Sequence, residues 1–116
     1  MSRSRERQIP VRWSADAEFD VQDILMYLVK ESPTAARTAA SRLQQGTAAL
    51  RDFPRRGGIV PELQRLGMDE WREFVIAPYR VIYTIEPDGV EIDAVIDSRR
   101  DVEGRLLRRL LGGEER

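Results

Sequence analysis

Two hydrophobic periods divide this chain. Between Ser14 and about Leu50 the apolar residues recur every three or four positions. Ala17, Val21, Ile24, Leu25 and Leu28 form one stripe, and Ala36, Ala39, Ala40, Leu43, Thr47 and Leu50 form the next. This spacing predicts two amphipathic helices. Ser14 caps the first, with Asp16 and Glu18 in its first turn, where the helix dipole favours anions. It runs to about Glu31. Ser32 caps the second, with Pro33 at its first position, and Phe53-Pro54 ends it. The alanines of the second stripe permit close approach, so the two helices are expected to form an antiparallel hairpin.

From Trp71 onward the period changes to two. Trp71–Ile76, Tyr79–Ile85 and Val90–Asp97 read as strands, separated by Ala77-Pro78 and by the turn Pro87-Asp88-Gly89. In the third, Val90, Ile92, Ala94 and Ile96 alternate with Glu91, Asp93 and Asp97, which predicts a meander with one buried face. Ile9–Trp13 is a further short strand, with Pro10 at its start or edge. After the meander, Ser98 or Asp101 caps a short helix with the stripe Val102, Leu106, Leu107, Leu110 and Leu111. Arg105, Arg108 and Arg109 lie on its other side, and Gly112-Gly113 stops it. That helix either docks on its own core or waits for a partner. The expected class is α+β: an N-terminal strand, a two-helix hairpin packed on an antiparallel three- to four-stranded sheet, and a short C-terminal helix. Residues 9–111 form a single domain between a disordered tail, 1–8, and a short tail, 112–116.

The 116 residues suit one domain with a modest core. There is no cysteine, so no disulfide framework or thiolate chemistry. There is no histidine, which removes the commonest general base and metal ligand and excludes a hydrolase built on it. No metal site and no cofactor are expected. No apolar run approaches the roughly 20 residues of a membrane helix, and no signal-peptide pattern opens the chain, so the expected location is cytoplasmic. The net charge is −1, but it is unevenly spread. The first helix is acidic (Asp16, Glu18, Asp20, Asp23), whereas Arg51–Arg56 and Arg99–Arg109 are basic, and Lys30 is the only lysine. The loop Arg55-Arg56-Gly57-Gly58 lacks the strand and lysine of a phosphate-binding loop and reads as a mobile connection.

Arg72, Arg80, Arg99 and Arg100 stand out: Arg72 and Arg80 flank the Ala77-Pro78 turn, and a meander would bring Arg80 and the Arg99-Arg100 end of the third strand toward one end of the sheet. The plain alternative is that each makes a surface ion pair with Glu73, Asp97 or Asp101, worth about 0–1 kcal/mol.

Three linked stretches carry a resemblance over Val11 to Leu111. They are Arg55-Arg56-Gly57-Gly58-Ile59-Val60-Pro61-Glu62-Leu63, the run from Arg72-Glu73 through Pro78-Tyr79-Arg80-Val81-Ile82-Tyr83, and Ala94-Val95-Ile96-Asp97-Ser98-Arg99-Arg100-Asp101. In this order they resemble the RelE/ParE superfamily of bacterial toxins. The resemblance implies a growth-arresting toxin of a toxin–antitoxin pair, held by its cognate antitoxin in a hetero-oligomer. RelE-like members cut mRNA on the ribosome; ParE-like members inhibit DNA gyrase and are not nucleases. Arg80 and Arg100 match the two arginines of the nuclease pattern. Its lysine positions fall on or near Trp71 and Glu73, its last aromatic position falls near Leu106, and Asp97 stands where members often carry histidine. A glutamate among the cations opposes the charge that develops on a cleaved phosphate.

The ParE-like branch is therefore favoured, with Arg72, Arg80, Arg99, Arg100, Arg105 and Arg108 expected to meet the target. Leu106, Leu107 and Leu110, with Arg80 and Arg100, are expected to meet the antitoxin, which lays down an amphipathic helix and a strand. In the alternative, a ribosome-dependent endoribonuclease, Arg80 and Arg100 stabilise charge and Glu62 or Glu73 is the base. A silent member without toxicity is the third reading.

Overall fold

A computed structural model describes residues 9–112. The strands are β1 (Val11–Trp13), β2 (Gly58–Ile59), β3 (Trp71–Ile76), β4 (Tyr79–Glu86) and β5 (Gly89–Asp97). The helices are α1 (Ala15–Glu31), α2 (Pro33–Ala48), the single turn α3 (Pro61–Gln64) and α4 (Val102–Leu107). A 3-10 turn, Ala49–Arg51, extends α2, and a wider π-type turn, Arg108–Gly112, extends α4. The class is α+β, as expected.

Local chemistry sets the helix ends. The Ser14 hydroxyl accepts from the Ala17 N–H at 3.0 Å, and that of Ser32 accepts from Ala35 at 3.1 Å. Ser32 thus ends α1 and opens α2 in one residue, which folds the two into a hairpin. Asp101 caps α4 through the Gly104 N–H at 3.0 Å.

The sheet has five strands in the order β1-β5-β4-β3-β2, and it is mixed rather than purely antiparallel: β1 runs parallel to β5. That pairing accounts for Gly89. A Cβ there would stand 2.5 Å from the Pro10 carbonyl oxygen, which accepts from Val90 N, and φ is +155°. The two-residue β2 was not visible as a strand, because a run so short has no period.

Both faces of the sheet are covered, which overturns the expectation of one buried face. Tyr79, Val81, Tyr83, Val90, Ile92 and Val95 pack with Ala17, Leu43 and Leu50 of the hairpin side. Ile82, Ala94 and Ile96 pack with Val60, Leu63, Val102 and Leu106 on the other. The expected single face for Val90, Ile92, Ala94 and Ile96 fails at a bulge: Ile82 pairs with Ala94 but Tyr83 pairs with Ile92, so Asp93 is one residue too many. An extra residue reverses the alternation beyond it. Val95 and Asp97 then face the hairpin, and Ala94 and Ile96 face α4.

Asp93 itself is half-buried, accepting from Trp71 Nε1 at 3.2 Å and Thr84 Oγ1 at 3.4 Å. Burial, and then the neighbouring Glu91 charge, push its carboxyl up to about 6. The folded state therefore holds more protons than the unfolded chain between about pH 4 and 6, and this group's contribution to stability falls as pH rises through that window. Asp93→Asn, whose amide oxygen can accept the same two hydrogen bonds, should be more stable than the parent at pH 8, with the advantage shrinking toward pH 4. Urea midpoints across that range check this; an advantage that does not change with pH would contradict it.

Candidate functional site

The sequence-predicted arginines do not form one rim. Arg72 and Arg80 sit on opposite faces of the sheet, because Arg72 is paired with Tyr83 and Arg80 with Ile96. Arg72 Nη1 donates to the Gly57 carbonyl at 2.6 Å. Arg80 is clamped from inside. Its Nη1 and Nη2 donate to the two Glu62 oxygens, both at 2.8 Å, and its Nε donates to Glu73 Oε1 at 2.6 Å, with Nη2 on the same oxygen. The three side chains are 13%, 19% and 20% exposed. The hydrogen bonds from Arg80 hold the Glu62 carboxyl below its ordinary range, and those to Glu62 in turn raise Arg80 further. The guanidinium expected at the target and antitoxin surfaces is thus engaged within the molecule by two carboxylates. Glu62 and Glu73, the expected bases of the nuclease reading, are the carboxylates that hold it.

Arg99, Arg100 and Arg105 do come together. They line a groove of about 560 Å³ between α1, the end of β5 and the start of α4, with Ile24, Tyr27 and Leu28 from the helix and Tyr79, Val95 and Asp97 from the sheet. Asp20 and Asp23 stand on its α1 wall. Within it Arg99 is spoken for: its Nε and Nη2 meet Asp97 at 2.8 and 2.6 Å. Arg99 draws the Asp97 carboxyl down to about 2, chiefly through the side-chain hydrogen bond. Arg100 and Arg105 form no ion pair among the described residues and are exposed. Tyr27 is 64% exposed on the same groove. Tyr79 is buried at its floor, and burial, then Asp97, raises its phenol. Arg108, also expected to meet the target, is exposed on the turn after α4.

The groove runs beside a strand edge. β1 covers β5 only from Val90 to Ile92, so from Asp93 to Asp97 β5 has β4 on one side and no strand on the other. Side chains meet part of that edge. Asp20 accepts from Val95 N at 2.9 Å, and Arg109 Nη1 donates to the Asp93 carbonyl at 2.7 Å. Arg109 also pairs with Asp20, Nη2 to Oδ1 at 2.8 Å. One carboxylate and one guanidinium thus tie α1, the β5 edge and the segment after α4 together. Arg109, expected on the solvent side with Arg105 and Arg108, is instead only one-quarter exposed.

The C-terminal helix docks on its own core. Leu106, expected at the antitoxin surface, is fully buried in this chain, and Leu107 and Leu110 are partly buried against the same cluster; Leu111 is the exposed leucine of this segment. The loop expected to be mobile is pinned as well. Tyr83 donates to the Pro54 carbonyl at 2.8 Å and accepts from Gly57 N at 3.0 Å, and the Arg56 guanidinium lies 5.2 Å from the Phe74 ring centre. A Cβ at Gly57 would fall 2.2 Å from the Glu73 carbonyl oxygen, so glycine serves close approach here rather than freedom.

Sequence reasoning missed Tyr27, Asp20 and Arg109 as parts of a site. An aromatic on the outer half of an amphipathic helix was the available signal for Tyr27. Asp20 and Arg109 are 89 residues apart, and nothing local links them.

Comparison with known proteins identifies the family and agrees with the fold. Residues 11–102 match the family described as ParE toxin of type II toxin-antitoxin system, parDE. The chain belongs to the ParE toxin family. Among solved structures it is similar to a chain of a chromosomal ParDE toxin–antitoxin system from P. aeruginosa, with a TM-score of 0.64 and 16% identity over 78% of this chain and 97% of that one, a likeness of fold. None of the curated proteins matches it.

Proposed function

We propose that this toxin arrests growth by protein contact, that DNA gyrase is its target, and that a cognate antitoxin neutralises it in the cytoplasm by occupying the groove at Arg100 and Arg105. The observation that carries the contact reading is the clamp on Arg80. Cleaving RNA needs a base for the 2′-hydroxyl and free cations for the developing phosphorane. Here the strand arginine is already matched by two carboxylates. Membership of a type II toxin–antitoxin family supports an antitoxin partner. No described helix is long and apolar enough to cross a membrane.

Pure protein added to gyrase and relaxed plasmid should suppress supercoiling. Unaltered supercoiling at saturating toxin rules out the gyrase reading. New 5′ ends on a translated message, mapped by primer extension, would instead support the ribosome-dependent nuclease.

For the antitoxin, Arg100 and Arg105, which form no ion pair among the described residues, beside an apolar helix wall and a strand edge met only in part by Asp20 and Arg109, favour an acidic, partly extended segment. Reversing both charges, Arg100→Glu with Arg105→Glu, should weaken binding of the product of the adjacent reading frame by about tenfold or more, as read by calorimetry. Unchanged affinity would move the antitoxin elsewhere.

A further inference from the structure

Outside the groove, the segment Arg51-Asp52-Phe53-Pro54-Arg55-Arg56 presents an aromatic ring among guanidiniums. Phe53 is 65% exposed. A single exposed apolar ring is ordinary, but the backbone that carries this one is held on both sides. Phe53 N donates to the Ala49 carbonyl at 3.2 Å, and Arg56 N donates to the Phe53 carbonyl at 3.1 Å. Tyr83 grips Pro54 and Gly57 from within the core, and Arg72 holds the Gly57 carbonyl. The ring is therefore presented to solvent by a rigid turn. Arg51, Arg55 and Arg56, each within three residues of it along the chain, are exposed. From Pro33 to Val60 the only carboxylate is Asp52, against five arginines, although the whole chain carries −1.

We infer that this turn is a binding site for single-stranded nucleic acid, with a base stacked on Phe53 and the flanking phosphates met by Arg51, Arg55 and Arg56. A fixed aromatic face beside a cationic track suits unpaired bases, whose faces are open, and not duplex, whose faces are stacked away. It reads no sequence, since stacking and phosphate contacts accept any base. The cation–π contact with Phe74 keeps the Arg56 guanidinium at the turn. This inference does not rest on the gyrase reading: it concerns a surface away from the groove residues and holds or fails whichever macromolecule the toxin arrests.

The test uses the full chain and fluorescence anisotropy with labelled oligothymidylate and oligouridylate of about 20 nucleotides and a duplex of equal length. Single strands should bind with a micromolar dissociation constant at about 50 mM salt. Raising the salt should weaken them with a log–log slope of about −2, for three phosphate contacts on a single strand. Phe53→Ala should weaken binding about fivefold or more and leave the slope alone. Arg51→Glu with Arg55→Glu should weaken it and flatten the slope. All altered side chains are exposed, and a thermal melt by circular dichroism confirms that each variant folds. A preference between the DNA and RNA oligomers assigns the source of the strand. No saturable binding at about 100 µM chain overturns the site. So does an unaltered affinity in Phe53→Ala, or a duplex or polyglutamate that binds as well as the single strands, which would make the turn a general polyanion or acidic-protein contact.

Discussion

Replacing Arg80 with alanine should cost about 3–5 kcal/mol of folding stability, the largest effect expected of any single change in this protein. The reason is what remains. Glu62 and Glu73 converge on the missing guanidinium, each about one-fifth exposed, and would be left as two neighbouring carboxylates with no cation between them. Their repulsion and incomplete hydration outweigh the loss of the arginine's own contacts. A substitution that removes the charges together, Arg80→Met with Glu62→Gln and Glu73→Gln, should recover much of the loss, because a buried ion cluster contributes little over a neutral packing of similar volume.

The pH dependence separates this account from simple loss of packing. In the parent, Glu62 has its folded pKa below its unfolded value of 4.5. Its contribution is present above that pH and is lost as pH falls through the folded value. In Arg80→Ala, Glu62 loses the hydrogen bonds that hold its carboxyl down and is left beside another carboxylate, so stability should recover on acidification. The gap between variant and parent should therefore narrow from pH 7 to pH 4, and taking this difference cancels the opposing contribution of Asp93. Chemical denaturation over that range is the measurement. A large gap that does not change with pH would mean that lost packing is the cause, and one under about 1 kcal/mol would show that the cluster is only a solvated ion pair.

The second large effect is expected at Asp20. Asp20→Ala removes the acceptor for Val95 N and the main carboxylate for Arg109, which is one-quarter exposed. Asp16 reaches the same guanidinium only at 3.6 Å and is itself mostly exposed, so it compensates weakly. A loss of about 2–4 kcal/mol follows from one unsatisfied backbone donor and one half-buried unpaired cation. The consequence reaches the site. The turn after α4 is held to α1 through this pair, and α4 supplies Arg105 to the groove. Amide exchange at Val95 should accelerate far more than at Ile82 in the centre of the sheet, and limited proteolysis should cut the segment after α4 first. Uniform protection in the variant would mean that the apolar cluster around Leu106 holds the helix without the pair.

Asp20–Arg109 and Arg80–Glu62–Glu73 also mark where sequence reading stops. Asp20–Arg109 and Arg80–Glu62 join elements apart in the chain, whereas Glu73, seven residues from Arg80, was a partner the sequence could name; a charged residue in a strand or on a helix otherwise reads the same whether its partner is water or a carboxylate across the molecule. The alternation in Val90–Asp97 failed for a related reason. Its apolar positions agree with one face, but Asp93 is bulged out, and a bulge is a property of the pair of strands. Loop mobility was misjudged at Arg55–Gly58 because the two glycines were taken as freedom, whereas Gly57 is there for its closeness to β3. The local signals fared better. The serine caps at Ser14 and Ser32 act where expected, Asp101 opens α4, and the three strand runs appear with their turns.

What the residues determine by themselves is the local inventory: a capped helical hairpin, an antiparallel meander, a short leucine-rich helix, and linked motifs particular enough to mark the toxin family. These depend on periods and caps that act within a few residues. Only the tertiary structure decides which guanidiniums are spent and which are free. Arg80, Arg99 and Arg109 are matched by carboxylates inside the molecule, while Arg100 and Arg105 are left facing the groove. The physical reason is that a charge is satisfied by whatever the fold brings within about 3 Å of it, and that distance is set by packing rather than by place in the chain.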